Sequence, residues 1–159
     1  ITPDGRIIMD LQVNSDSVGD IVGNIPSIDT NEISTRVLVD DGETVVLGGD
    51  WNVCPTDEDA WDMTVMASDA LCQPESRAAF RSILHQGWTD AVRAFHPHGP
   101  QYTYWDYMQN RFARDYGLRI DHLLLSPQAA DRLRAVGIDR SPRSREKPSD
   151  HTPVWCELR

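Results

Sequence analysis

Residues 45–62 read VVLGGDWNVCPTDEDAWD, an apolar run that ends in two glycines, an aspartate, a tryptophan and an asparagine. Two readings of this stretch lead to different proteins. In one, Asp50 and Asn52 close an ordinary strand with a turn. In the other they sit at the mouth of a sheet, where strand-end side chains of open α/β proteins reach a crevice, and serve as oxygen donors to a cation. The rest of the chain has to decide.

Upstream, the texture is that of β-structure. IIMDLQV, from Ile7, alternates loosely and is rich in branched residues. IPSIDTNE carries Pro, Ser, Asp and Asn and reads as a loop. STRVLV and ETVVLGG flank Asp40, Asp41 and Gly42, a hairpin signal. Downstream, PESRAAFRSILHQG has Pro74 at a helix start, Ala79, Phe80, Ile83 and Leu84 on one face, and Gly87 as its stop. QYTYWDY reads as a short aromatic strand and LRIDHLLLS as another, ended by Pro127. QAADRLRAVG reads as a helix closed by Gly137, SPRSREKPSD as a polar loop and HTPVWCEL as a final strand. Strands and helices in alternation predict an α/β layered fold. No internal repeat or low-complexity tract appears.

The bulk properties narrow the class. A chain of 159 residues holds one domain with a real core. No apolar run approaches the roughly 18 residues of a membrane-spanning helix, and no basic-then-apolar leader opens the chain. The start at Ile1 and not at a Met gives the expectation of a fragment. Cys54, Cys72 and Cys156 are scattered and lack C-x-x-C spacing, which favours reduced thiols and a cytoplasmic location over a disulfide or zinc framework. The net charge of −10 argues against a nucleic-acid partner, but it is unevenly spread. Residues 1–49 hold nine acids against Arg6 and Arg36, whereas Arg111, Arg114, Arg119, Arg132, Arg134, Arg140, Arg143, Arg145 and Lys147 crowd the far end. A local basic face is compatible with the acidic total.

Four blocks from about Val45 onward carry a resemblance: GDWN at Gly49–Asn52, YTYWDY at Tyr102–Tyr107, GLRIDHLLLS at Gly117–Ser126 and KPSDHTPV at Lys147–Val154. Together, and in this order, they resemble the exonuclease III and abasic-site endonuclease family of metal-dependent phosphodiesterases. Residues 1–49 resemble something else. TNEISTRVLVDDGETVVLGG, with RIIMDLQVNSDSVG before it, is similar to the end of a secretin, the outer-membrane channel of type IV pili and type II secretion. The reading is therefore a chimera: a secretin-like β segment at 1–49, then, at 50–159, the C-terminal half of a four-layer αββα sandwich. VVLGG suits both families, so the seam stays open within Val45–Gly49.

The nuclease resemblance implies Mg²⁺ or Mn²⁺ as cofactor and duplex DNA, including DNA with abasic sites, as partner. It implies that Asp50 orients or deprotonates the attacking water and that Asn52 positions the water or the phosphate. It makes Asp150 a metal-site carboxylate and His151 a donor to the scissile phosphate, with Asp50, Asn52, Asp150 and His151 as the metal set. Asp121 then accepts from His151 and fixes its tautomer. Arg119 is assigned to phosphate contact; Tyr104 and Leu118 correspond to positions packing around an extruded abasic sugar, which leaves the stack at little cost. Trp105 and Tyr107 are read as core. His122 should face away from Asp121, because adjacent strand residues point to opposite faces. Asp57, Glu58, Asp59 and Asp62 are read as a solvated loop.

The family's first half supplies a metal-ligating Glu, an Asn and a phosphate-contacting Tyr. None can be matched here: Glu32 and Glu43 lie in secretin-like sequence and no Tyr precedes Tyr102. The expectation is Mg²⁺-dependent DNA hydrolysis in an impaired form, with an inactive hybrid or a secretin-derived channel segment as the alternatives. Phosphodiesterases acting on lipids or inositol phosphates share GD-x-N and SDH. The YTYWDY and GLRIDHLLLS blocks pull toward the DNA-directed branch.

Overall fold

The computed structural model describes the backbone of residues 7–22 and 25–39, and residues 43–159 in full. It falls into two units, Ile1–Glu43 and Thr44–Arg159. In the first, β1 (Ile7–Val22) pairs antiparallel with β2 (Ile25–Val39), from Ile7 opposite Val39 to Val22 opposite Ile25. The IPSIDTNE segment, expected as a loop, lies within β2. Its carbonyls and amides join the ladder with β1, and that pairing overrides the turn preference of single residues. The hairpin turn expected at Asp40, Asp41 and Gly42 lies outside the described residues.

The second unit is built on β5 (Asp121–Leu125), which has antiparallel partners on both edges. One is β3 (Val46–Asp50), the strand of the opening stretch, and the other is the two-residue β4 (Thr89–Asp90). The strand after Gly42 is thus paired to β5, 75 or so residues away, and not to β2 as the hairpin reading expects. Apolar Leu124 and Leu125 of β5 are fully buried. Helix α2 (Pro74–Leu84) covers one face, with Pro74 at its first position and Phe80 driven into Val53 and Leu124. Before it comes the one-turn α1 (Met63–Met66), capped by the Asp62 carboxylate. After β4, α3 (Ala91–Phe95) is capped by Asp90, whose Oδ1 accepts from the Arg93 N–H. Ala91 and Val92 of α3 join Leu125, Ala129 and Val136 in a second apolar cluster.

Beyond β5 the chain departs from expectation. The helix read over QAADRLRAVG is only α4 (Pro127–Ala130), and residues Leu133–Ile138 form β6. β6 pairs antiparallel with the final strand β7 (Val154–Leu158), so Gly137 sits mid-strand opposite Trp155. Burying Val136 between this ribbon and α3 outweighs the local helix preference of Ala, Arg and Leu. No helix among the described residues is long and apolar enough to cross a membrane. The described portion of the chain is a mixed α/β fold.

QYTYWDY forms no named strand, yet it makes the joints that matter. Tyr104 bridges to Leu118 on one side and to His151 on the other, and Leu118 bridges to Ala60. Four separate segments are thereby stitched side by side. Thr103 reinforces the stitch: its Oγ1 accepts from the amides of Ile120 and Asp121, and its carbonyl accepts from the Thr152 amide. Trp105 is fully buried, as expected, but Tyr107 is 60% exposed and is not core. Gly117 lets the stitch close, since a Cβ there would lie 2.5 Å from Trp105 Nε1 and 2.6 Å from Tyr102 Cβ. A Gly117→Ala variant is expected to lose about 1–3 kcal/mol of stability through this overlap, read as a lower denaturant midpoint at unchanged m-value.

Candidate active site

The register of β3 on β5 puts Asp50 directly opposite Asp121. Like charges facing each other across a ladder are destabilising, so a sequence chosen for stability alone would avoid the pair. The imidazole of His151 explains how it is tolerated. Its Nδ1 is 2.9 Å and 3.1 Å from the two Asp121 oxygens, and its Nε2 is 3.9 Å from Asp50 Oδ2. With Nδ1–H donating to Asp121, Nε2 is the nitrogen left for other partners. All three groups keep contact with solvent, the side chains of Asp50, Asp121 and His151 being 36%, 18% and 31% exposed.

Gly49 precedes Asp50 with φ of +155°, a conformation that L side chains rarely adopt, so the second glycine is required to end the strand and aim the carboxylate. Asn52, itself at φ of +50°, donates its backbone N–H to Asp50 Oδ1 at 2.9 Å. Burial raises the Asp50 carboxyl above its ordinary value. The Asn52 N–H opposes this, Asp121 adds to it, His151 opposes it, and Asp150 adds again. The Tyr104 ring lies 5.0 Å from the His151 ring, and burial lifts its phenol, with the nearby acids Asp106 and Asp150 adding to the rise.

Two assignments to substrate need correcting. Arg119 is fully buried and cannot reach a phosphate. Its Nε and Nη2 donate to Asp59 at 2.6 Å and 3.2 Å, and its Nη1 donates to Asp90 at 2.7 Å. Leu118 is 3% exposed and packs with Cys54, Ala60, Met66, Cys72 and Ile120; it lines the core and not a sugar pocket. Asp59, expected in a solvated loop, is the centre of the buried network. It also accepts from Arg93 Nη2 at 2.5 Å and from the Thr56 hydroxyl. Burial alone would raise its carboxyl, but the bonds and charges of Arg119 and Arg93 overcome this and hold it below the ordinary range. His122 faces away from Asp121 as expected and packs on Phe80. Its Nε2–H donates to the Val53 carbonyl at 2.9 Å, which leaves Nδ1 to accept from Arg119 at 3.0 Å.

The donor chemistry suits a hard divalent ion, since carboxylate and amide oxygens are what Mg²⁺ takes. The negative charge that Asp121 and Asp150 impose on Asp50 is what a cation relieves. Among the described residues, no three His, Cys, Asp or Glu side chains are grouped closely enough to form a complete cage. The donors fit, and the set is partial.

A family described as "Endonuclease/Exonuclease/phosphatase family" matches residues 19–151. The exodeoxyribonuclease III of Haemophilus influenzae is 34% identical over 130 residues, covering 76% of this chain and 48% of that protein. The structure of an AP endonuclease from Archaeoglobus fulgidus superimposes with a TM-score of 0.72 at 33% identity, over 76% of this chain and 47% of that one. The chain thus spans under half the length of these relatives. Separately, 51 residues, 31% of the chain, are 43% identical to 7% of the fimbrial assembly protein PilQ of Pseudomonas aeruginosa.

Two outcomes follow from the buried network. Arg119→Met leaves Asp59 and Asp90 under-compensated and should cost about 3–5 kcal/mol, seen in equilibrium denaturation. Burial, with the Arg119 charge adding to it, pushes the His122 imidazole down to about 4 from 6.5. Between those values the unfolded chain takes up a proton that the folded one refuses. Stability is therefore full above pH 6.5 and falls as pH drops toward 4, by about 3 kcal/mol. In His122→Asn that part of the pH dependence should flatten.

Proposed function

The chain belongs to the endonuclease/exonuclease/phosphatase family, and from that premise we propose that it carries half of a divalent-metal-dependent DNA phosphodiesterase centre of the exonuclease III and AP endonuclease type, working in impaired form. The observation that carries the reading is His151 bonded to Asp121 and facing Asp50, across a strand pair that sets two carboxylates opposite each other. Hydrolysis of a phosphodiester needs a water aimed in line, charge relief on the phosphoryl oxygens and a firm donor. Asp50 takes the water's proton, a task helped by a carboxyl raised above its ordinary value. The Asn52 amide orients the water or the phosphate. His151, with Nδ1 held by Asp121, presents Nε2 to a phosphoryl oxygen. Tyr104, beside His151, walls the space where a sugar would stand.

Mg²⁺ or Mn²⁺ would be held by Asp50, Asn52 and Asp150, and would supply charge neutralisation at the phosphoryl group. His151 belongs to the same expected set: with Nδ1 bonded to Asp121, Nε2 is the nitrogen that would face the ion or, once protonated, donate to a phosphoryl oxygen. That no three His, Cys, Asp or Glu side chains among the described residues form a complete cage supports impairment. The substrate is duplex DNA, with incision at abasic sites or trimming of 3′ ends as the two forms of the activity. The three cysteines are free thiols, which suits a reducing, cytoplasmic setting. The likeness of one segment to PilQ supports the chimeric reading, in which a secretin-like β segment at 1–49 contributes nothing to the chemistry at 50–159.

The test is a nicking assay on an abasic-site duplex and a 3′-end-labelled duplex, with an intact relative as control. Slow cleavage that needs Mg²⁺ or Mn²⁺ and stops with EDTA is expected. His151→Ala should lower kcat by about 10²–10⁴-fold. No cleavage by the folded chain under conditions where the control cuts would remove the activity and leave the ancestry.

A further inference from the structure

Arg143 is 6% exposed, and among the described residues no carboxylate pairs with it and its Nε has no hydrogen-bond partner. A buried cation without an anion is costly, so its placement needs a reason beyond filling space. Its partners give one. Nη1 donates to the Ser149 carbonyl at 2.6 Å and Nη2 to the Trp105 carbonyl at 2.8 Å. The same loop is held at the two neighbouring positions. The Tyr107 hydroxyl donates to the Pro148 carbonyl at 2.8 Å, and the Trp105 N–H donates to the Asp150 carbonyl at 2.9 Å. Three consecutive carbonyls, of Pro148, Ser149 and Asp150, are each pinned by a different donor, immediately before His151. The guanidinium also lies 5.0 Å from the Phe112 ring and 5.4 Å from the Tyr107 ring, which stabilises a cation through the ring faces.

We propose that Arg143 is a positioning residue that, with Tyr107, clamps the Pro148–Asp150 backbone and so sets the aim of the Asp150 and His151 side chains. This rests on the functional reading above only for its kinetic consequence. The geometric consequence stands without it. Arg143 suits the task because a planar fork reaches two carbonyls on different segments at once, one on the aromatic segment that carries Tyr104 and one on the loop that carries His151. A lysine offers a point charge and cannot span both.

The experiment uses the full chain with Arg143→Lys, Arg143→Gln and Tyr107→Phe. The primary readout is the nitrogen and proton resonances of the His151 imidazole, which report the Nδ1–H bond to Asp121 whether or not the protein cleaves DNA. Both Arg143 variants should shift or broaden those signals while the amide spectrum stays folded. Tyr107→Phe, a substitution at an exposed ring, should give a smaller shift in the same direction and keeps the test alive if the Arg143 variants do not fold. Where cleavage is measurable, kcat should fall about tenfold or more with KM within about twofold, and Arg143→Lys should not rescue it. Unchanged His151 resonances in the folded variants would overturn the proposal, as would a loss of activity confined to KM. Absence of cleavage in the unaltered chain would count against the functional reading alone.

Discussion

Everything in the second unit turns on one buried guanidinium. Arg119 gives its fork to Asp59 and its remaining nitrogen to Asp90, and Arg93 returns a second positive charge to Asp59. Two cations and two anions are thereby balanced in the interior. Such a cluster is weak evidence for net stability, because desolvation of four charges offsets most of their attraction. Its value is geometric. Asp59 belongs to the loop after β3, Asp90 links β4 to α3, and Arg119 lies two residues before Asp121. Mispairing β5 by one residue would withdraw the Arg119 charge from both acids and leave Asp59 only Arg93 and Thr56, at a cost of about 3–5 kcal/mol. The network therefore fixes the register that sets Asp121 against Asp50.

The candidate site inherits that register and adds a second constraint. His151 is far from Asp121 in sequence, and it arrives through Tyr104, which bridges Leu118 and His151 with isolated backbone pairs and no extended strand. A bridge of this kind is only as firm as the loops behind it. The pinned carbonyls before His151 and the Thr103 bonds to Ile120, Asp121 and Thr152 supply that firmness. Stability and function separate here: the buried charges hold the frame, while the solvent-facing triad of Asp50, Asp121 and His151 keeps two opposed carboxylates that the frame does not need.

What the sequence revealed and what it hid follow the range of the interactions. GGDWN, IDH and SDH are short, and their reading needs only a strand end, a strand and a loop; the structure brings Asp50, Asp121 and His151 together. Pro74 and the apolar face of 79–84 likewise announce α2. The errors share a cause. Arg119 looks free to meet a phosphate and Asp59 looks solvated because a charge in isolation usually faces water, and the two stand sixty positions apart. QAADRLRAVG looks helical because its residues favour helix, while its pairing with β7 is written elsewhere in the chain. Alternation alone points Tyr107 into the core, but its segment forms bridges and not a strand, and the ring is exposed.

Under the proposed function, Asp50, Asn52, Asp121, Asp150 and His151 would form one divalent-ion and phosphate site. Paramagnetic broadening by substoichiometric Mn²⁺ in the labelled full chain tests it most directly. The account predicts selective broadening of resonances from Asp50, Asn52, Asp150 and the adjoining His151, displaced by excess Mg²⁺ and lost in Asp50→Asn. Broadening centred on the acidic loop at 57–62, or spread evenly over the surface, would contradict it.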